Sequence, residues 1–493
     1  MNKERTGGGG RTLYGSDCLD VLNDELALPT GSVDLIYLDP PFNSKSNYNL
    51  PFKNKGKHKD VKPVEAFKDT WTWGDKEEEN LERLSSGPST RHLADIIRLS
   101  QRLNPTQREI STPAYLVNMA VRLIPMRRVL KDTGSIYLHC DPTASYYLRL
   151  LLDGIFGQEN FRNEIIWSYK TGGTSKKWFG RKHDVILFYT NGSKYTFNLQ
   201  KEKAYTKSLS RKAGVVNYGA GNAEFFEDEF GVYNKVNMRD VWEISYINSQ
   251  SRERTGYPTQ KPKALLSRII KASSNVGDVV LDPFCGCGTT VHVAERLGRE
   301  WVGIDISAFS VGLIKTRILN NFPKLDAADI RSIGSPTDIT SARKLAKEPF
   351  EFEKWVCGEI GAHGMYKNPG DKGGDGGVDG VIEFALFKGL GKKAKKEFAI
   401  VQIKAGKVTP DSVRALSHTV EQFDATAGIF VCFNEYMSTV ENNRKKQTYK
   451  DLTGTYPTIQ GFSVEQLLSG ERPKLPPVQF NKKLKKQQSD FFQ

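Results

Sequence analysis

Short, largely apolar runs alternate with stretches of helical spacing between residues 12 and 325 of this 493-residue chain. Runs of consecutive apolar positions are typical of parallel strands that are buried on both faces of a sheet. The clearest runs are 34–38, 135–140, 279–281 and 301–304. Between the last two, residues 289–297 show a helical pattern, which Gly298 closes where glycine commonly ends a helix. Strands that alternate with helices predict an α/β fold with a doubly wound, Rossmann-like sheet.

A second, shorter pattern of strands and helices occupies residues 349–470 and predicts a smaller α/β domain. Its order is helix, strand, strand, helix, strand, and Thr409 and Pro410 mark the start of the second helix. The segment before it, residues 326–348, is turn-rich and is interpreted as a linker. The segment after it, residues 471–493, is rich in Pro, Lys and Gln and is interpreted as a basic flexible tail.

The charge balance of the chain is basic, since 71 Lys and Arg against 57 Asp and Glu give a formal net charge of +14. Such a surface favours a polyanionic partner, most often nucleic acid. No run approaches the ~18 apolar residues that crossing a bilayer requires, and the start lacks the apolar core of a signal peptide. The six scattered cysteines do not make a disulfide framework. We therefore expect a cytoplasmic protein with no membrane association.

Residues 43–110 depart from the alternating pattern, because they are rich in Lys, Asn and Ser and show no clear strand. Six lysines crowd into one part of this segment: Lys45, Lys53, Lys55, Lys57, Lys59 and Lys62. Two interpretations stay open, a solvated insertion and a loop that faces DNA.

A glycine-containing loop, residues 282–290, follows one predicted strand and opens a helix. Gly286 and Gly288 allow the backbone to turn tightly and to approach a ligand closely. Asp305 ends the next predicted strand, and a carboxylate there can accept hydrogen bonds from both hydroxyls of a ribose.

Two other interpretations of this loop are disfavoured. Val291 stands where the dinucleotide fingerprint requires glycine or alanine, which argues against a nicotinamide cofactor. Cys285 and Cys287 lack a second Cys or His pair at ligand spacing, which argues against a metal site.

A rigid loop, Asp39-Pro40-Pro41-Phe42, follows the predicted strand 34–38. The two prolines stiffen the chain and remove two backbone donors, so the Asp39 carboxylate and the Pro40 carbonyl remain as acceptors. These acceptors suit the two N–H groups of an exocyclic amine on a nucleobase, and the Phe42 ring can stack on that base. Held in this way, the amine nitrogen directs its lone pair at an electrophile. A purely structural interpretation, a stiff strand-to-loop turn, stays open.

Together the two loops resemble those of amino-group DNA methyltransferases that depend on S-adenosyl-L-methionine. DPPF at 39–42 precedes DPFCGCGTT at 282–290, an order that resembles the circularly permuted beta class. Three further stretches agree with the family pattern: 15–17, 134–139 and 257–262. The resemblance covers residues 12–325, which we identify as a methyltransferase domain with a target-recognition segment at about 191–256.

The resemblance implies an enzyme that flips a base out of double-stranded DNA before methylating it. Asp39 and Pro40 would orient the target amine, Pro41 would stiffen the loop, and Phe42 would stack on the base. Asp39 at the first motif position implies adenine N6, with cytosine N4 as the alternative. The residues that the resemblance assigns to cofactor binding are Asp17, Thr259, Lys261, Asp282, Phe284, Gly286, Gly288 and Asp305.

A second candidate site lies in the smaller domain. Gln402 and Lys404 point to the same face of a strand and can meet Asp379 at the mouth of a hairpin. With Asp379 as a ligand this group could hold Mg²⁺, while the lysine orients a water or stabilises charge on a phosphate oxygen. The pattern and its element order resemble the Mrr-type branch of PD-(D/E)xK endonucleases across residues 349–434. Gln402 replaces the commoner acidic ligand, which leaves the number of metals open.

The sequence thus predicts a DNA adenine methyltransferase fused to a Mg²⁺-dependent endonuclease, as in restriction–modification. Two alternatives stay open: a second domain that only binds DNA, and a methyltransferase that acts on RNA or a small molecule. A homodimer and a separate restriction–modification partner subunit are both compatible with the sequence.

Overall fold

The computed structural model describes residues 10–42, 46–49, 65–69, 71–103, 112–170, 176–206, 214–218, 221–248, 251, 253–255, 257, 259–364, 377–387 and 395–476. Within these residues the strands are β1 (Arg11–Gly15), β2 (Val33–Leu38), β3 (Ser46–Asn49), β4 (Glu65–Asp69), β5 (Leu130–Cys140), β6 (Phe161–Ser168), β7 (His183–Thr190), β8 (Lys201–Tyr205), β9 (Gly214–Tyr218), β10 (Gly221–Asp228), β11 (Gly231–Asn237), β12 (Val241–Glu243), β13 (Val279–Asp282), β14 (Glu300–Asp305), β15 (Arg331–Ile333), β16 (His363–Gly364), β17 (Gly380–Leu386), β18 (Lys395–Lys404), β19 (Ala427–Cys432), β20 (Thr448–Asp451), β21 (Gly454–Pro457) and β22 (Ile459–Ser463).

The helices in the same part of the chain are α1 (Cys18–Asn23), α2 (Asp75–Ser86), α3 (Arg91–Leu103), α4 (Thr112–Val129), α5 (Ser145–Phe156), α6 (Lys263–Ser273), α7 (Thr289–Arg296), α8 (Ala308–Asn321), α9 (Ile339–Leu345), α10 (Pro349–Ile360), α11 (Pro410–Gln422), α12 (Met437–Asn443) and α13 (Val464–Leu468). None of these described helices combines the length and the apolar composition that crossing a bilayer requires.

The first sheet has the strand order β12-β6-β7-β5-β2-β13-β14-β1-β15. Its neighbouring strands are parallel except where β7 pairs with β5 and β6. Along β2 the side chains alternate: Ile36 and Leu38 join the apolar core under α1–α5, whereas Leu35 and Tyr37 join the core under α6–α8. Helices therefore cover both faces, and the predicted doubly wound α/β sheet is confirmed.

The apolar runs and the helical pattern fall where the sequence predicts them. The four runs lie in β2, β5, β13 and β14. Helix α7 ends beside Gly298, which adopts a φ of +72° that glycine tolerates best. Because β2, β13 and β14 are adjacent and parallel, the loops that follow them leave from the same edge of the sheet. We call this edge, at the carboxyl ends of the parallel strands, the catalytic edge.

Residues 43–110 differ from their sequence interpretation. The expectation of no strand there is wrong, because β3 and β4 form an antiparallel pair, and α2 and α3 follow them. These two strands are short and polar, so they lack the apolar run that marks a buried strand. The lysines at 45, 53, 55, 57, 59 and 62 lie outside the described residues.

The segment at 191–256, expected to recognise the target, contains a small antiparallel sheet of its own. Its strand order is β8-β11-β10-β9. The short strand β12, in the same segment, pairs with β6 at the margin of the first sheet.

The smaller domain has a five-stranded sheet with the order β16-β17-β18-β19-β22. The predicted order helix, strand, strand, helix, strand is present as α10, β17, β18, α11 and β19. Helix α11 begins as expected, since the Ser412 amide donates to the Thr409 hydroxyl at 3.3 Å. Residues of α10 and α11 belong to separate apolar clusters, and β17, β18 and β19 contribute to both. The expected smaller α/β domain is therefore present.

Residues 326–348, which the sequence suggests are a linker, contain a strand and a helix. Strand β15 extends the first sheet by pairing with β1, and helix α9 follows it. The described start of the C-terminal segment is also attached to the smaller domain. Arg472 donates to the buried carboxylate of Glu359 at 2.6 Å, and the Lys474 amide donates to Gln460 at 2.9 Å. Residues 477–493 lie outside the described part of the chain.

Helix α8, which packs on the first sheet, crosses helix α10 of the smaller domain at a pair of glycines. A Cβ added to Gly312 would lie 2.6 Å from the carbonyl carbon of Gly358. The Thr316 hydroxyl donates to the Glu359 carbonyl at 2.8 Å across the same crossing. Glycine at both positions allows the two backbones to approach within a distance that side chains would prevent.

Substituting Gly312 by Ala is expected to lower the free energy of unfolding by about 1–3 kcal/mol, because the added methyl group has no room at this crossing. Alanine in place of glycine inside a helix is otherwise stabilising, so the sign of the change reports on the crossing. Urea unfolding measures the effect. Gly406→Ala is the matched control, since a Cβ there meets nothing within 4 Å, and it should shift stability by less than about 0.5 kcal/mol. A Gly312→Ala protein as stable as the wild type would contradict this packing.

Candidate active sites

The loop after β2 brings an acceptor, a cation and an aromatic ring together at the catalytic edge. Lys261 donates from Nζ to Asp39 Oδ2 at 2.5 Å, and the same Nζ lies 5.0 Å from the centroid of the Phe42 ring. Pro40 is buried, whereas Asp39 and Phe42 are partly exposed. The ammonium compensates the charge of the carboxylate and leaves Oδ1 for another donor.

A buried polar network lies behind Phe42. The rings of Phe42 and His139 are 5.5 Å apart, and His139 is fully buried. The His139 Nε2 lies 3.2 Å from Asp184 Oδ2, and Nδ1 lies 2.8 Å from the Tyr37 hydroxyl. A carboxylate only accepts, so Nε2 donates to Asp184, while Nδ1 and the Tyr37 hydroxyl share the second hydrogen bond. Tyr169 donates to the other Asp184 oxygen at 3.0 Å, which holds the carboxylate in place.

The pKa of Asp184 is lowered, and its neighbours explain the direction. Burial acts to raise this pKa, but the hydrogen bond and charge of His139, then the charge of Lys261 and the hydrogen bond of Tyr169, lower it below its ordinary value. Asp184 therefore stays a carboxylate at neutral pH and fixes the orientation of the His139 ring.

The glycine-containing loop after β13 closes around an acidic side chain. Gly286 and Gly288 adopt φ values of +50° and +71°, and the Gly286 amide donates to Asp305 Oδ2 at 2.9 Å. The Ser307 amide donates to Asp305 Oδ1 at 3.0 Å. A Cβ on Gly286 would lie 3.2 Å from the ring of Tyr257, which packs against the loop. The loop therefore has the tight turn that the sequence predicts, and Asp305 keeps acceptor positions on both oxygens.

Three aspartates, Asp39, Asp282 and Asp305, lie at the ends of the adjacent strands β2, β13 and β14. Asp282 is buried and accepts from the Phe284 amide at 3.1 Å. Burial raises the pKa of Asp282 to about 7, and the charges of Asp39 and Asp305 add to the shift. Burial likewise raises the pKa of Asp305 to about 6. A group of carboxylates in these surroundings favours a cationic ligand.

The resemblance also assigns Asp17, Thr259 and Lys261 to the cofactor, and each has a different setting in the structure. Asp17 follows β1 near Asp305, but its carboxylate caps α1 through the Leu19 amide and accepts two hydrogen bonds from Arg122, each 2.9 Å long. Thr259 is exposed with a φ of +60°. Lys261, from the same motif, binds Asp39 and therefore lies on the side of the catalytic loop.

The second candidate site lies where the start of β17 pairs with the carboxyl-terminal part of β18. The Ile403 amide donates to Asp379 Oδ2 at 2.6 Å, which places Asp379 beside Gln402 and Lys404. Gln402 is buried, and its Oε1 has no hydrogen-bond partner within the described part of the chain. Lys404 ends β18 and is partly exposed. Asp379 thus contacts β18 at the residue between Gln402 and Lys404, and the joint role of the three side chains stays a prediction.

Two side chains at the catalytic edge, Asp184 and Tyr169, have no signal in the sequence that assigns them to it, and the resemblance assigns a third, Lys261, to the cofactor rather than to Asp39. Lys261 is 222 residues from Asp39 along the chain, and Asp184 is 45 residues from His139. Tyr169 joins them because β6 and β7 run antiparallel at the end of the sheet. Spacing along the chain cannot reveal contacts that depend on strand order.

Replacing Asp282 by Asn is expected to stabilise the chain increasingly as pH rises. The pKa of Asp282 is about 7 in the fold and 3.8 ordinarily, so the folded chain holds this proton more tightly than the unfolded chain does. For this group alone, the fold is therefore most stable at low pH, and the contribution of the proton is lost as pH rises through 7. Asn keeps the acceptor for the Phe284 amide without the charge. The difference in unfolding free energy between variant and wild type should grow by roughly 2–4 kcal/mol between pH 4 and pH 8.

Urea unfolding at several pH values measures this difference. Asp132→Asn, which removes an exposed carboxyl group, is the matched control and should show a much smaller pH dependence. A difference that stays constant with pH would mean that Asp282 is ionised without cost in the fold.

Comparison with known proteins adds family relationships to this geometry. The family described as DNA methylase matches residues 33–316, and the family described as restriction endonuclease matches residues 345–452. The gap between the two matches, residues 317–344, contains the end of α8, strand β15 and most of α9.

Curated relatives match part of this chain. Type II methyltransferase M.HpaI of Haemophilus parainfluenzae is 33% identical over 217 residues, covering 43% of this chain and 62% of that protein. Type II methyltransferase M.EcaI of Enterobacter cloacae is 34% identical over 262 residues, covering 42% of this chain and 58% of that protein. DNA adenine methyltransferase YhdJ of Escherichia coli (strain K12) is 33% identical over 208 residues, covering 41% of this chain and 67% of that protein. The chain thus spans less than two thirds of the first two relatives.

The DNA methylase match extends over more than half of the chain and includes both loops of the catalytic edge. The chain belongs to the DNA methylase family, and its residues 345–452 match the restriction-endonuclease family.

Proposed function

We propose that the chain transfers a methyl group from S-adenosyl-L-methionine to N6 of an adenine in double-stranded DNA. We also propose that its second domain cleaves DNA with Mg²⁺, as in restriction–modification. The observation that carries the first proposal is the adjacency of the Asp39–Lys261 pair and the Asp305 loop on one sheet edge. Membership of the DNA methylase family supports it.

The catalytic loop orients the amine. Asp39 Oδ1 and the Pro40 carbonyl accept its two N–H groups, while Phe42 stacks on the flipped base and Pro41 keeps the loop rigid. The nitrogen lone pair would then point at the electrophilic methyl group that bound S-adenosyl-L-methionine would supply, so that a new N–C bond would replace the C–S bond. The methylated amine releases one proton to solvent. Lys261 holds the Asp39 carboxylate in position throughout, and the network around His139 supports the Phe42 ring from behind.

The acidic group at the edge fits the proposed cofactor. When bound, S-adenosyl-L-methionine supplies an electrophilic methyl group on a positively charged sulfonium, a charge that Asp282 and Asp305 favour. The free acceptor positions of Asp305 suit the ribose hydroxyls, and Phe284, Gly286 and Gly288 would line the pocket. Asp17 and Thr259 stay proposed contacts at its margin.

Adenine is preferred over cytosine on two grounds. Asp39 as the first motif residue favours adenine N6 in the resemblance, and one relative is named a DNA adenine methyltransferase. Methylation of cytosine N4 would use the same fold and loop, so the product must be identified chemically.

For the second domain we propose that Asp379 and the Gln402 amide oxygen hold Mg²⁺, which would supply a Lewis acid for phosphate hydrolysis. The unpartnered, buried Oε1 of Gln402 beside Asp379 fits an oxygen-binding cation. Lys404, at the exposed end of β18, would orient a water or stabilise charge on a phosphate oxygen. The restriction-endonuclease match supports this activity.

A second candidate role for this domain, DNA binding without cleavage, has one observation in its favour. Among the described residues, no group of three or more His, Cys, Asp or Glu side chains is placed to share a metal ion. A site with a single described carboxylate holds Mg²⁺ more weakly than one with two.

The methyl-transfer proposal predicts distinct effects at Asp39 and Lys261. Asp39→Ala should lower transfer by roughly 10²–10³-fold while cofactor affinity stays within a few-fold, because only the amine loses its acceptor. Lys261→Met should also lower transfer, and Lys261→Arg should restore part of it. The assay digests unmethylated plasmid DNA after incubation with labelled S-adenosyl-L-methionine, with Mg²⁺ omitted, and quantifies N6-methyladenine by mass spectrometry.

Asp95→Ala is the control, since Asp95 is an exposed aspartate on α3. Normal turnover of Asp39→Ala would refute its role. N4-methylcytosine as the product would keep the mechanism and overturn the choice of adenine. Methylation of RNA in preference to DNA would replace the substrate.

The cleavage proposal predicts that Asp379→Asn and Lys404→Ala abolish cutting in the presence of Mg²⁺ and leave methyl transfer unchanged. Asn at 379 still accepts from the Ile403 amide, so the fold is retained while the charge is lost. Supercoiled plasmid, examined by electrophoresis with Mg²⁺ or with EDTA, reports the cleavage. Asp411→Ala, at an exposed aspartate, is the control. Binding of DNA by a wild type that never cuts it would favour the binding-only role.

A further inference from the structure

The segment between β6 and β7 carries two large aromatic side chains on the surface. Phe179 is 98% exposed and Trp178 is 66% exposed. Residues 176–182, which we call the basic aromatic loop, surround them with the cations Lys176, Lys177, Arg181 and Lys182. Isolated exposed apolar residues are common, but two adjacent aromatic residues among four cations are not explained by chance exposure.

The end of this loop is attached to the catalytic edge. The Tyr169 amide donates to the Lys182 carbonyl at 3.1 Å, which closes the base of the loop. Two residues further on, Asp184 binds both Tyr169 and His139, and His139 lies against Phe42. The basic aromatic loop therefore leaves the protein beside the pocket in which the target base would stack.

The length of the loop sets how far its aromatic side chains can extend from the pocket. Phe179 is five residues before Asp184, so an extended segment between them spans at most roughly 17 Å. A target base held on Phe42 leaves an empty position in the base stack of the duplex. Apolar and aromatic side chains are the residues that DNA-distorting proteins insert between bases, and cations beside them bind the flanking phosphates.

We propose that Phe179, with Trp178 beside it, inserts into the DNA at the position that the flipped base vacates and so stabilises the flipped state. This inference rests on the proposed DNA methyl transfer and adds a base-flipping role to it. Stacking of an aromatic ring on the exposed neighbouring bases replaces the stacking that the target base loses. The four cations of the loop bring it to the phosphates on either side of that gap.

The test uses the full chain without Mg²⁺ and short duplexes that carry the methylation site mapped on plasmid DNA. In one duplex the target base is correctly paired, and in the other it faces an abasic position, where flipping costs less. Phe179→Ala and the double variant with Trp178→Ala should lower single-turnover methylation of the paired duplex by roughly tenfold or more. On the abasic duplex the same variants should stay within about threefold of wild type, because little stacking has to be replaced.

A fluorescent 2-aminopurine at the target position gives a second readout. Wild type should raise its fluorescence on binding, and Phe179→Ala should raise it less, with Phe179→Leu in between. Leu26→Ala is the matched control, since Leu26 is 87% exposed in the segment that precedes the amino end of β2. It should methylate both duplexes like wild type.

An equal loss on both duplexes would overturn the inference, because Phe179 would then be a general DNA contact. Unchanged methylation of the paired duplex by the double variant would overturn it as well. A failure of the proposed methyl transfer gives a different result, because the wild type would then methylate neither duplex. That result would refute the inference as well, without any comparison of variants.

Discussion

The parallel arrangement of β2, β13 and β14 is the constraint on which the rest of the structure depends. Three neighbouring strands that run in one direction place Asp39, Asp282 and Asp305 at one edge, where burial raises the pKa of the last two. Carboxylates collected in this way destabilise the fold when they ionise, and Lys261 offsets the charge of Asp39. We interpret the arrangement as a preorganised site for a cation beside an amine. Because the carboxylates are held together before any ligand binds, the fold loses stability in order to form this site.

Helix α8 connects this edge with the smaller domain. One part of the helix holds the glycine-containing loop, since Ile314 packs where a Cβ on Gly288 would lie, and Arg317 donates to the Cys287 carbonyl at 2.7 Å. Another part crosses α10 at the two glycines. Helix α10 in turn contacts the second site, since the Cys357 thiol donates to the Asp379 carbonyl at 3.7 Å. The two candidate sites are therefore joined by packed helices rather than by a linker alone.

The sequence predicts the strands, the turn glycines and the two acidic loops because each depends on local physics: apolar runs, left-handed backbone and prolines after a strand. It does not predict β3 and β4, whose residues are polar, or the strand β15 within the supposed linker. It also leaves Lys261 with the cofactor by resemblance, whereas its hydrogen bond goes to Asp39. Contacts of this kind depend on the order of strands in the sheet, which spacing along the chain does not encode.

The measurement that tests the central claim most directly is a crystal structure of the full chain with a duplex containing its site and sinefungin, a cationic analogue that cannot transfer methyl. Our account predicts a flipped adenine with N6 within about 3 Å of Asp39 Oδ1 and of the Pro40 carbonyl. It also predicts the ribose of the analogue on Asp305 and its amino group, which takes the place of the transferred methyl group, directed at N6. An adenine that remains stacked in the duplex, or an analogue bound away from the loop of Gly286 and Gly288, would contradict a single site at this edge.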